Sequence, residues 1–199
     1  DFSGMNVSQI VTGTSMFQYS VYQGATATIF PGPFTTMTTC VSLFESSAYV
    51  TVPNMDAVSL PAALTVTQAF YGIANLPNIP NLDLRAATEC TSALASTFAV
   101  AFVPLWPLMK CTTATAMFST SQFLAGADMS GMSVAQVVTA TSMFDSMRLK
   151  GAYTSPGVFS AATNAVSLYR NSRCESAPCT QWNMTAISLP VATDVTAAF

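Results

Sequence analysis

Short segments rich in Thr, Ser and Ala recur along this chain, and each closes on an aromatic residue: Phe17, Phe44, Phe70, Phe98, Phe118, Phe144, Tyr169 and Phe199. The successive spacings are 27, 26, 28, 20, 26, 25 and 30. A small or apolar residue sits seven positions before each aromatic, and Thr usually follows two positions later, as in IVTGTSMF, ALTVTQAF, CTTATAMF and VVTATSMF. A unit of about 26 residues is too short to bury its own apolar face, whereas stacked units share one continuous core. The pattern predicts a β-rich solenoid of about eight units, with the eight aromatic side chains as core plugs.

A longer period overlies the short one. DFSGMNVSQIVTGTSMF at the start returns as DMSGMSVAQVVTATSMF from Asp128, with 12 identities in 17 positions. PGPFTTMTTCVSLF (31–44) matches PGVFSAATNAVSLY (156–169), and NMDAVSLPAALTVTQAF (54–70) matches NMTAISLPVATDVTAAF (183–199). Residues 1–70 and 128–199 thus read as duplicated blocks, and 71–127 as two intervening units, all in a single continuous solenoid over 1–199. The array stops inside its own pattern, which predicts that it continues in a longer chain.

Within a unit the strand signal comes first, as in LPNIPNLDL (76–84), AGADMSG and AISLP. Leu76, Ile79, Leu82 and Leu84 carry the spacing of a leucine-rich-repeat strand, with Leu82 and Leu84 pointing to the core and Asp83 outward. An arc of irregular or short helical structure then leads to the plug. It has a long form, from Phe2 to Phe17 and from Met129 to Phe144, and a short form, from Leu60 to Phe70 and from Leu189 to Phe199. The expected architecture is leucine-rich-repeat-like, with short parallel strands joined by such arcs.

The two long-arc units resemble the D-L-S-x-W-D-V-S-x-V-T-x-M-x-x-M-F unit of the BspA-type leucine-rich repeats, the other six units more loosely. Met5 and Met132 stand where that unit has Trp, and Thr14 and Thr141 where it has Met. The resemblance implies a solenoid at or outside a cell surface, used for adhesion or structure, and brings no catalytic residues with it.

Composition narrows the picture further. Only 8% of residues are charged and 51% are hydrophobic, and Thr supplies much of the polarity; an ordinary soluble domain has roughly 25% charged residues. The longest apolar stretch, FAVAFVPLWPLM (98–109), is broken by Pro104 and Pro107. It falls well short of the roughly 20 residues that a spanning helix needs. No membrane-spanning segment is expected. The net charge of −3, with basic residues scattered singly, disfavours nucleic acid. With no His, dispersed carboxylates and no phosphate-binding glycine loop, the sequence offers no catalytic, cofactor-binding or metal site. No enzyme and no cofactor are expected.

The five cysteines suggest an oxidising setting. Counted from Phe98 and Phe118, Cys90 and Cys111 fall almost in one column of adjacent units, within reach of a disulfide. Cys174 and Cys179 flank ESAP and read as a small closed loop, while Cys40 is left over as a buried apolar side chain. Asn6 and Asn183 head N-glycosylation acceptor triplets. Covalently attached glycans would give a charge-poor surface its solubility.

The T-x-T pieces fit a face of ranked hydroxyls that could bind ice, but the unequal spacing of the units argues against a regular lattice. Thr bonding to backbone along the stack is the simpler reading. The expected function is a non-enzymatic extracellular structural glycoprotein, a repeating filament subunit that self-associates end to end or laterally into a homopolymer. The alternative is a cell-surface adhesion module that binds protein or glycan through the solenoid surface.

Overall fold

A computed structural model describes residues 2–22, 28–49, 51, 53–76, 82–99, 110–123, 126–175, 182–184 and 186–199. It is β-rich, with short parallel strands, no closed barrel and no helix among the described residues. The strands are β1 (Val21–Tyr22), β2 (Ala48–Tyr49), β3 (Phe98–Ala99), β4 (Gln122–Phe123), β5 (Gly126–Asp128), β6 (Arg148–Leu149), β7 (Ala152–Thr154), β8 (Arg173–Cys174) and β9 (Trp182–Asn183). β1 pairs with β2, β3-β4-β6-β8 form a four-stranded sheet, and β5-β7-β9 form a three-stranded one.

The pairing that runs furthest lies outside these strands. Single parallel bridges join Thr12, Thr39, Thr65, Glu89, Thr113, Thr139, Asn164 and Asp194 in one series. Eight layers of chain therefore lie side by side, at sequence steps of 27, 26, 24, 24, 26, 25 and 30. From each bridge residue onward, alternate amides donate to the next layer. Cys40, Ser42, Phe44 and Ser46 donate to the carbonyls of Thr65, Thr67, Ala69 and Tyr71, and the same four-bond set recurs through the stack. A parallel ladder satisfies backbone groups between layers that a short segment cannot satisfy alone.

Where helical arcs are one expectation from sequence, the chain makes turns instead. Two residues per layer, four apart, take the left-handed conformation: Ser15 and Tyr19, Ser42 and Ser46, Gln68 and Gly72, Ser92 and Ser96, Ala116 and Thr120, Ser142 and Ser146, Ser167 and Asn171. The non-glycine members have φ between 52° and 59°, which costs an L-residue roughly 1–2 kcal/mol. All of these from Ser15 to Ser167 nevertheless donate their amides to the following layer, as Ser142 does to Val166 and Ser146 to Arg170, so the interlayer bonds hold the curl. A helix would keep those amides within its own segment and leave the ladder unpaired.

The core lies inside this curl. Plug side chains stack in register: Phe17 on Phe44 at 5.1 Å, Phe44 on Phe70 at 5.4 Å, Phe118 on Phe144 at 5.4 Å and Phe144 on Tyr169 at 4.6 Å. The ring planes lie within 19° of parallel because the ladder imposes one rung of translation per layer. Phe98 is not a plug. The fourth layer places Leu94 in that column, since Phe70 donates to Ala93 and Leu94 donates to Met117. Phe98 lies on β3 and is 49% exposed. With Leu94 as the plug, the uneven spacings of 28 and 20 become 24 and 24. Aromatic spacing misplaced this unit because the plug position demands an apolar side chain in the core, and Leu meets that demand as well as Phe.

The strand expectations hold unevenly. Leu76, Leu82 and Leu84 are buried and Asp83 is half-exposed, but 82–84 form no strand, and Ile79 lies outside the described residues. AGADMSG contributes β5, whereas AISLP supplies only the single bridge of Ser188 with Val158.

Candidate functional site

Six of the eight sequence-predicted plugs, Phe17, Phe44, Phe70, Phe118, Phe144 and Tyr169, are buried. Phe98 is displaced as described. Phe199 is 71% exposed although its ring lies over Tyr169 at 6.1 Å, because no described layer covers its outer face.

Cys90 and Cys111 are both buried and both free thiols, so they do not form the predicted bridge. Counted from Leu94, Cys90 stands four positions before its plug while Cys111 stands seven before Phe118. The two thus occupy different columns. Their thiols still meet: the contact with Cys111 and burial push the Cys90 thiol well above its usual range, and Cys111 Sγ donates to the Thr113 carbonyl at 3.2 Å. Cys40 is a buried free thiol as expected, pushed up to about 12 by burial. Cys174 is not among the free thiols, and its expected partner Cys179 lies outside the described residues.

Asn6 is exposed, and its Oδ1 accepts from the amide and hydroxyl of Ser8 at 3.1 and 2.8 Å, so the acceptor triplet closes on itself. Asn183 lies on β9 with its side chain outside the described residues, as is Thr185.

Threonine-to-backbone bonding along the stack occurs next to the T-x-T positions rather than at them, while Thr141 of VTAT donates its hydroxyl to the Asn164 side chain at 2.8 Å. The hydroxyls of Thr38, Thr88, Thr112 and Thr193 donate to the carbonyls of Val11, Leu64, Thr88 and Thr163 in the preceding layer.

Chemistry gathers instead on the sheet β3-β4-β6-β8. Its register aligns Phe98, Gln122, Arg148 and Arg173 across four adjacent strands. The left-handed positions Ser96, Thr120, Ser146 and Asn171 form a parallel file beside them. A groove of about 220 Å³ runs between the files, lined by Phe98, Thr120, Gln122, Ser146 and Arg148. Each layer contributes one residue to each file because the turn and the strand sit at fixed distances after the bridge residue.

Glu175 reaches back across this row. Its Oε1 accepts from Arg173 at 3.3 Å and lies 3.4 Å from the Arg148 guanidinium as an ion pair, and its Oε2 accepts from Gln122 Nε2 at 3.2 Å. Beside it, Arg170 donates to Asp145 at 2.7 Å, and the Asp145 side chain is only 10% exposed. Four of the six basic residues of an acidic chain, Arg148, Lys150, Arg170 and Arg173, thus fall within two adjacent layers, against Asp145 and Glu175.

A second recess of about 440 Å³ is lined by Pro61, Asp83, Arg85, Ala86 and Lys110. There Arg85 closes on Asp83 at 2.6 Å and holds its carboxyl below the usual carboxylate range. Its cation and anion satisfy one another.

Sequence reasoning missed the groove. The signal was present in the charges, since the basic residues look scattered along the chain but Arg148 and Arg173 recur one layer apart. No helix among the described residues is long and apolar enough to cross a membrane. Comparison with known proteins finds no match: no family model, no curated protein and no solved structure is similar to this chain.

Proposed function

We propose that this chain is a non-enzymatic, extracellular solenoid that serves as a repeating structural subunit of a surface filament, associates with itself and carries covalently attached glycans. The observation that carries this reading is the series of bridges from Thr12 to Asp194, in which every layer bonds its neighbour in the same way. A stack of that kind extends by any further layer of the same geometry, whether in the same polypeptide or in a second copy. Backbone amides at one edge and carbonyls at the other supply the directional bonds for extension. The duplicated blocks 1–70 and 128–199 and the charge-poor composition support the same reading, as does the BspA-type resemblance of the two long-arc units. The exposed Asn6 acceptor supports glycosylation at that position.

Negative-stain microscopy of native material tests it. Filaments with an axial repeat that is a multiple of the layer spacing are expected; isolated, monodisperse particles under all conditions would overturn the reading. A second reading, an adhesion module, is favoured by one specific observation, the polar groove beside the exposed Phe98.

A further inference from the structure

We infer that the groove between the files Phe98-Gln122-Arg148-Arg173 and Ser96-Thr120-Ser146-Asn171 binds an anionic saccharide. The inference does not depend on the filament reading, since it rests on the composition and register of one face.

The side chains are those that a sugar acid requires, in an order set by the ladder. Phe98 offers an exposed ring at one end of the row, where its face can take the C–H face of a pyranose. Gln122 and the hydroxyls of Thr120 and Ser146 line the middle and suit the ring hydroxyls of a polyol. Arg148 and Arg173 follow on the next two strands, each with a planar fork that matches a carboxylate or sulfate. Adjacent strands lie about 4.8 Å apart, close to the rise of one pyranose along an extended chain, so successive rungs meet successive sugars.

A carboxylate already occupies the anion end. Glu175 takes hydrogen bonds from Gln122 at 3.2 Å and Arg173 at 3.3 Å and forms an ion pair with Arg148 at 3.4 Å, so these three side chains converge on an acid group. The contacts are long, the two guanidinium side chains are 51% and 61% exposed, and the Glu175 side chain is 21% exposed, twice the value for Asp145. Exposed pairs of this kind contribute little, about 0–1 kcal/mol, so the acid of a ligand can displace Glu175 at small cost. Arg170 is different: its bond to Asp145 is short and the carboxylate is largely buried, so it stays with its partner. Two guanidiniums sharing one loosely held carboxylate leave an unmatched positive charge in the groove of a chain whose net charge is −3. Nucleic acid fits less well, because outside these layers the only basic residues are Arg85 and Lys110, in a chain of net charge −3.

The test titrates the full chain by isothermal calorimetry with four probes: tetragalacturonate, a chondroitin sulfate tetrasaccharide, cellotetraose and a single-stranded oligodeoxynucleotide. Binding of the uronate, the sulfated probe or both is expected, and the pair tells which anion is preferred. Arg148→Gln and Phe98→Ala should each weaken that binding roughly tenfold or more. Glu175→Gln should tighten it a few-fold, because the internal competitor is gone. All three positions are exposed, and unchanged melting would show that the variants remain folded. Absence of binding by both acidic probes would overturn the proposal. So would equal binding of cellotetraose, a preference for the oligonucleotide, or affinity unchanged in Arg148→Gln.

Discussion

The hydroxyl of Ser121 donates to the carbonyl of Leu94 at 2.7 Å, and this bond ties Leu94 into the plug column between Phe70 and Phe118. The same relationship recurs elsewhere in the stack, where Ser47 donates to the Phe17 carbonyl at 2.6 Å and Ser172 to that of Phe144. In each case a hydroxyl three positions after one plug caps the plug carbonyl of the layer before it. Leu94→Ala would open a cavity in a fully buried site and should cost about 2–5 kcal/mol. Phe98→Ala, at the position that aromatic spacing selects, should change stability by no more than about 0.5 kcal/mol. Chemical denaturation of the two variants checks the register; a larger loss at Phe98 would contradict it.

One left-handed position and one close backbone approach make opposite predictions for glycine. Ala116 has φ 52°, so Ala116→Gly relieves roughly 1–2 kcal/mol of steric cost against about 0.5–1 kcal/mol of added chain entropy. A modest net stabilisation is expected, read as a rise in melting temperature. Gly32→Ala should do the reverse, because a Cβ there would lie 1.8 Å from the Ala57 carbonyl oxygen, backbone that cannot step aside. Loss of the folded state, or destabilisation well above the roughly 1–3 kcal/mol typical of overpacking, is expected from circular dichroism.

Alkaline pH should destabilise the fold. Burial pushes the Cys40 thiol from 9.0 up to about 12 and raises Tyr153 and Tyr169, and the contact with Cys111 together with burial raises Cys90 in the same direction. Each group therefore keeps its proton in the folded state over a range where the unfolded chain releases it. Their contribution is fully present below pH 9 and is lost as pH rises from 9 towards 12, by up to about 1.4 kcal/mol per pH unit for each group titrating. Urea midpoints measured across that range should fall steadily, and native Cys40, Cys90 and Cys111 should resist alkylation at pH 8 until the chain unfolds.

Tyr153 and Tyr169 share a buried hydrogen bond of 2.8 Å between their hydroxyls. Tyr153→Phe strands the Tyr169 hydroxyl in the core and should cost about 1–3 kcal/mol. Replacing both by Phe removes the two polar groups together and should cost less than the two single losses combined. A double-mutant cycle measures this; additive losses would show that the hydroxyls are not coupled.

The sequence alone determined the period, the duplicated blocks and five of the seven junctions between plugs, because burial against a neighbouring layer forces an apolar residue at one position in each unit. It also placed Thr before the plug, where parallel bridges form. What it could not determine was register in the fourth layer, where Leu94 and Phe98 are both apolar and only the interlayer bonds choose between them. The Cys90 and Cys111 pairing failed with that register, since a four-residue shift moves a side chain to another column. The groove lay wholly beyond reach. Phe98, Gln122, Arg148 and Arg173 each stand a whole layer of chain from the next, and only the parallel ladder, which returns the chain to the same face once per layer, makes them neighbours.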